Sequence, residues 1–226
     1  MNADHELSEA TLDPLAGDPR LPEVFGEAWP RVEHFHDLLA EHGPLRGLIG
    51  PREVGRLWER HLLNSASVVP HIGTAGSLLD LGSGAGLPGV VIGLMEPDLT
   101  VTLLEPMARR VDWLTYVVDQ LDLRNVRVVR GRAEDVAGTL RVAVVTARAV
   151  ASLDKLYGWA APLVATNGLL LALKGSRAAD EVAATAGAAR QAGWAGVEIV
   201  ESALIEGVEP TNIVKAVRTG GPRHVR

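Results

Sequence analysis

From Ser77 onward the chain alternates short apolar runs with longer stretches in which apolar residues recur every three or four positions. The runs 77–81, 100–105, 126–130, 142–147 and 168–173 predict buried strands; they are almost continuously apolar, as parallel strands covered on both faces must be. Between them, 88–96, 107–121, 152–163 and 176–191 predict helices. This β-α-β alternation points to an open, doubly wound α/β sheet. No helix is expected between the last apolar segments, 196–205 and 211–217, so they should pair antiparallel and close one edge of a mostly parallel sheet.

Upstream of the first strand the period is helical. Val24, Ala28, Val32, Phe35, Leu38 and Leu39 mark one amphipathic helix from Pro22 to His42, stopped by Gly43 and Pro44. Val54, Leu57, Trp58, Leu62 and Leu63 mark a second from Pro51 to about Val69, with proline suited to its first turn. The division expected is a disordered acidic start (1–22), a helical cap (23–72) and one α/β domain (73–226).

Composition narrows the class. A chain of 226 residues with 47% hydrophobic content buries one full core but not two large ones. Cysteine is absent, which excludes disulfides, thiolate metal sites and cysteine nucleophiles. No basic, apolar leader opens the chain and no stretch reaches 18 uninterrupted apolar residues, so a soluble, cytoplasmic protein without a membrane contact is expected. The net charge of −6 argues against nucleic acid until it is divided: residues 1–41 hold 10 acids and 2 bases, leaving 18 acids and 20 bases beyond them. From Thr211 to the end there are four bases (Lys215, Arg218, Arg223, Arg226) and no acid; this tail is either a phosphate contact or a solvated end.

The clearest chemistry lies in Leu78-Leu79-Asp80-Leu81-Gly82-Ser83-Gly84-Ala85-Gly86-Leu87-Pro88-Gly89. A glycine-rich turn between a strand and a helix lets backbone approach a ligand closely. Gly82, Gly84 and Gly86 form the GxGxG of methyltransferases, while Gly84, Gly86 and Gly89 also spell a dinucleotide GxGxxG. Asp80 favours the first reading: an acid there can organise the turn and face the amino group of S-adenosylmethionine, whereas it would repel a pyrophosphate. Glu105, ending the second strand, can accept from both ribose hydroxyls. Glu134, after the third strand, stands where methyltransferases hold adenine, although an acid at a helix start also suits the helix dipole. Together these acids line one crevice at the carboxyl ends of successive strands.

Arg60-His61-Leu62-Leu63-Asn64-Ser65, the Asp80–Gly89 loop, Arg109-Arg110-Val111, Arg132-Ala133-Glu134, Thr146-Ala147-Arg148-Ala149 and Leu173-Lys174-Gly175 together resemble the glucose-inhibited division protein B family, the 16S ribosomal RNA guanine-N(7) methyltransferases. The resemblance runs from about residue 24 to the C-terminus. It implies a Rossmann-like class I methyltransferase fold, S-adenosyl-L-methionine as cofactor, and a guanine in the 530 region of small-subunit RNA as substrate. By the same resemblance Gly82 and Leu87 contact the cofactor from the loop, Ala133 and Glu134 hold its adenine, and Arg148 sits near its methionine end. Glu105 stands where a shorter Asp is common, Asn64 replaces an acid, and Gly47-Leu48 replaces an Asn-Leu.

Ring nitrogen 7 of guanine carries a lone pair and no proton, so no general base is needed and catalysis reduces to orientation and desolvation. Arg148 and Lys174, at the ends of the fourth and fifth strands, are the candidate positioning residues; alternatives are an ion pair of Arg148 with Asp80 or Glu134 and a solvated Lys174. Arg60, His61, Arg109, Arg110 and Lys174 are candidate RNA contacts. The five tryptophans (29, 58, 113, 159, 194) are read as core packing. No metal site is expected, the partner is 16S RNA or the small subunit, and a monomer is expected. Rival readings are a small-molecule methyltransferase, a nicotinamide-dependent oxidoreductase, and an RNA-binding module without turnover.

Overall fold

Near-continuous apolar runs can be buried on both faces only inside a layered α/β fold, and a computed structural model, which describes residues 13–219, has that form. Seven strands lie in the order β3-β2-β1-β4-β5-β7-β6: β1 Ser77–Leu81, β2 Thr100–Glu105, β3 Val126–Arg130, β4 Val142–Arg148, β5 Val164–Lys174, β6 Trp194–Ser202 and β7 Thr211–Arg218. The first five are parallel; β7 inserts antiparallel between β5 and β6, because no helix separates it from β6. The order turns back at β1 and β4, which run side by side. Their carboxyl ends therefore open onto the crevice where such sheets bind ligands.

One face is covered by α4 (Gly89–Met95) and α5 (Ala108–Gln120), with α1 (Arg20–Phe25), α2 (Trp29–His42) and the helical run Pro51–Ala66, which ends in α3 (Asn64–Ala66). Phe35, Leu39 and Leu62 from the N-terminal helices share one apolar cluster with Val90, Ile92 and Trp113. The cap is thus part of the main core. The other face carries α6 (Ala133–Val136), α7 (Leu153–Ala160) and α8 (Ala178–Gln191), packed on Leu79, Val145 and Leu170.

Two expectations need correction. Residues 1–12 lie outside the described part, but the remainder of the expected disordered start is built in: Asp13 accepts the Trp58 amide at 2.9 Å, and Leu21 is fully buried in α1. Nor is Pro22–His42 one helix. Gly26 takes a positive φ of 52° and a 3-10 turn over Gly26–Ala28 offsets α1 from α2. This lets Trp29 stack on Trp58 at 5.2 Å and Trp58 on His36 at 4.5 Å. The Pro51 helix also departs from the α form, being 3-10 over Pro51–Arg56 and π-helical over Trp58–Leu63.

Gly168 shows how tightly the β4–β5 pairing is drawn. A Cβ there would meet the Ala143 carbonyl oxygen, and would lie 2.7 Å from Val164 Cγ1 and 2.9 Å from the Ala165 oxygen. Gly168→Ala should therefore lower unfolding free energy by roughly 1–3 kcal/mol, as overpacking does, read as a lower urea midpoint at unchanged m-value.

Candidate functional site

The loop after β1 is held from both sides. Gly82 and Ser83 donate to the Leu104 carbonyl at 2.8 and 3.1 Å, and the Ser83 hydroxyl donates to the Asp80 carbonyl at 3.0 Å. Asp80 is fully buried, and its Oδ2 accepts the amide of Gly89, the first residue of α4, at 3.0 Å. Here only glycine fits, because a Cβ on Gly89 would stand 2.6 Å from that carboxylate oxygen and would run into Leu103. The amide donor that a pyrophosphate would seek at this helix start is taken by a carboxylate, which removes the physical basis of the GxGxxG reading.

Glu105, 2% exposed, clamps the tip of the loop. Its Oε2 accepts the Gly84 amide and its Oε1 the Met107 amide, both at 3.0 Å, while Arg110 Nη1 lies 3.8 Å from Oε2. Gly82 and Gly84 adopt φ of 74° and 54°, a region that side chains enter at a cost. Beyond them opens a cavity of about 380 Å³, within the range of small-molecule sites. Gly82, Glu105, Arg110, Ala133, Glu134 and Trp159 are on its walls.

The structure thus brings Gly82, Glu105, Ala133 and Glu134 together, with Gly84 at the tip of the same turn. It places others elsewhere. Gly86 packs under Phe35 and Val90, Leu87 is buried in the core beneath the cap, and Asp80 supports the loop from within the sheet. Arg109 is exposed on α5, away from this cavity. Trp159 packs against the apolar cluster on the α6–α8 side, as its isolation in sequence suggested, and its half-buried ring also forms part of the cavity wall. Pro106, Met107 and Val150 also line it, and no spacing announces them.

Arg148 pairs with neither Asp80 nor Glu134. Its Nη2 donates to His61 Nδ1 at 2.6 Å, and His61 Nε2 lies 3.0 Å from Glu53 Oε2. An arginine only donates, so Nδ1 must accept, the ring proton must sit on Nε2, and Nε2–H must donate to Glu53. Burial, reinforced by the Arg148 charge, lowers the His61 pKa to about 4; the neutral ring makes the 3.0 Å contact a hydrogen bond, not an ion pair. Burial lowers the Arg148 pKa to about 10, opposed by Glu53 and Asp80, so Arg148 stays charged at neutral pH.

These residues border a second cavity of about 510 Å³, whose walls include Glu53, Arg60, Asn64, Arg148, Ala149 and Lys174. Ala149 lines both cavities and takes a positive φ of 53°, a costly conformation for a residue with a Cβ. Lys174 is committed within the fold: its Nζ donates to Ala151 O at 2.8 Å and to Glu181 Oε1 at 2.9 Å. Arg60 is exposed, 4.0 Å from Glu53. Among the described residues no cluster of metal-ligating side chains is found, and no helix is long and apolar enough to cross a membrane.

The GidB family, described as rRNA small subunit methyltransferase G, matches residues 29–203. A ribosomal RNA small subunit methyltransferase G of Thermobifida fusca is 58% identical over 160 residues, covering 71% of this chain and 68% of the relative. That of Kineococcus radiotolerans is 50% identical over 200 residues, covering 88% and 79%. Among solved structures, the S-adenosylmethionine-dependent methyltransferase SibL is similar with a TM-score of 0.58 at 18% identity, over 72% of this chain and 56% of that one. An S-adenosylmethionine-dependent O-methyltransferase of Thermotoga maritima gives 0.56 at 13%, over 71% and 66%. Both share the fold.

Burial raises the Asp80 pKa from 3.8 to about 7, against the opposing Gly89 hydrogen bond. A carboxyl whose folded pKa is raised binds more protons folded than unfolded between pH 4 and 7, so its contribution to stability falls as pH rises through that window. His61, lowered from 6.5 to about 4, contributes with the opposite slope. The difference between wild type and Asp80→Asn isolates the acid, since the amide oxygen keeps an acceptor for Gly89. In the ligand-free protein the variant should gain roughly 4 kcal/mol over wild type between pH 4 and 8, measured by urea unfolding across that range.

Proposed function

The chain belongs to the GidB family of small-subunit ribosomal RNA methyltransferases, and we propose that it transfers a methyl group from S-adenosylmethionine to ring nitrogen 7 of a guanine in the 530 region of 16S RNA. One observation carries the assignment of the cofactor site: the ends of β1, β2 and β3 deliver the Gly82–Gly84 turn, Glu105 and Ala133-Glu134 to a single cavity. The donors and acceptors fit. Asp80, buried and on neither cavity wall, serves the loop from beneath by holding the Gly89 amide. Glu105 retains lone pairs for ribose hydroxyls beside the two amides it accepts. Ala133 and Glu134 would hold an adenine edge, in keeping with their position on the same cavity wall as Trp159.

S-adenosylmethionine supplies an electrophilic methyl group on a sulfonium. Nitrogen 7 of guanine attacks through a lone pair and gives up no proton, so the protein's own contribution is to orient the base and exclude water. Arg148, held by His61 beside Ala149, is the positioning charge at the junction of the two cavities. Lys174, tied to Glu181 and Ala151, braces the rim. Arg60, Arg109 and Arg110 are the surface charges for RNA phosphates. In this reading the enzyme works as a cytoplasmic monomer on 16S RNA or the small subunit.

The test is incubation with labelled S-adenosylmethionine and small subunits from cells lacking the enzyme, followed by cleavage at N(7)-methylguanine. A single modified guanine is expected. A Cβ at Gly82 would lie 2.8 Å from Val150 at a φ of 74°, so Gly82→Arg should reduce both cofactor binding and transfer by about 10²-fold or more. Label entering a small metabolite but not RNA would overturn the ribosomal reading in favour of a small-molecule methyltransferase.

A further inference from the structure

We propose that the second cavity receives the target guanine itself, with Glu53 accepting from its N1–H and 2-amino group while Arg148 donates to its oxygen 6; this rests on the guanine reading above. The cavity meets the cofactor site at Ala149, which lines both. A base seated there can turn its nitrogen 7 toward the cofactor site.

Charge placement then selects among the bases. Glu53 and Arg148 bond to opposite nitrogens of His61, so a donor and an acceptor are held one imidazole ring and two hydrogen bonds apart. Guanine carries oxygen 6 between nitrogen 7 on one side and N1–H on the other, with the 2-amino group next along the same edge as N1–H. Its acceptor therefore meets Arg148 when its donors meet Glu53. Adenine has an amino group at position 6 and a bare nitrogen 1, which sets donor against donor and lone pair against carboxylate. Polar groups left unpaired in this way reject a wrong base strongly.

Glu53 has the capacity to do this. Its Oε2 serves His61, but Oε1 lies 4.0 Å from Arg60 Nη1, beyond hydrogen-bond reach, and the side chain is 37% exposed at the cavity wall. The π-helical turn over Trp58–Leu63 brings His61 inward between the two charges, in keeping with such turns at functional sites. A phosphate is the poorer occupant. Glu53, Glu59 and Glu209 share the walls with Arg60, Arg148 and Lys174, and Lys174 is already neutralised by Glu181.

The experiment uses small subunits reconstituted with 16S RNA ligated to carry guanine or inosine at the methylated position. Inosine lacks only the 2-amino group. Wild type should show kcat/KM lower on inosine by about 10-fold or more. Glu53→Gln keeps an acceptor for His61 but faces the base with an amide; its guanine-to-inosine ratio should fall toward one, with cofactor Kd unchanged. A merely structural role for Glu53 would slow both substrates alike, and a wild-type ratio retained in the variant overturns the assignment. Equal rates of wild type on guanine and inosine overturn it without any variant, so poor folding of Glu53→Gln does not rescue it. Label in neither substrate would instead overturn the guanine reading, and this pocket with it.

Discussion

Asp80 gives up hydration inside the sheet, at the end of β1, and its side chain recovers the hydrogen bond from the Gly89 amide at the start of α4. A carboxyl so deeply buried is stable only while that amide stays in place, which ties strand, loop and helix into one unit. The geometry leaves no room for a side chain on Gly89 and turns Gly82 and Gly84 toward the crevice, while Gly86 faces the cap. Glu105 then completes the hold, accepting the Gly84 amide from the neighbouring strand. The ligand-facing turn is therefore rigid before any ligand arrives, and rigidity of this kind spares binding the cost of ordering a loop.

The N-terminal helices depend on the same arrangement. Phe35 packs over Gly86, the Trp113 indole donates to the Ala85 carbonyl, and Leu87 enters the cluster beneath the cap. The back of the glycine loop is thus a floor for the helical segment. From that segment His61 reaches Arg148 at the end of β4, and Asn64 donates to Thr211 at the start of β7. Changes in the cap should accordingly be felt at both cavities through hydrogen bonds, with no need for a moving domain.

Strain is concentrated where the two cavities meet. Ala149 holds a left-handed conformation immediately after Arg148, and the neighbouring Val150 side chain closes over Gly82. The β4 end turns sharply here, so that one short segment borders both cavities. Such a conformation persists only when surrounding contacts determine it; here the Arg148–His61 bond and the Lys174–Ala151 bond pin the segment on either side.

The strands, their parallel order and the methyltransferase loop were legible in the residues because each rests on a local signal: an apolar run, a helical period, or glycines at fixed spacing after a strand. Glu105 and Glu134 were legible for the same reason, since strand ends on one side of a parallel sheet are neighbours whatever the details. The contacts of Arg148 were not. Its partner is 87 residues away, on a helix whose π turn no periodicity reports, and the sequence offered only an ion pair with Asp80 or Glu134 as the alternative to a free positioning charge. Trp159 does pack on the core, but its place on the cavity wall was invisible because a lone tryptophan has no local context to report it, and Lys174 looked free because Glu181 faces it only once α8 folds back. Local pattern determined the architecture and the cofactor crevice; tertiary packing decided which charges were consumed within the fold and which were left facing a ligand, because that depends on partners brought together from distant parts of the chain.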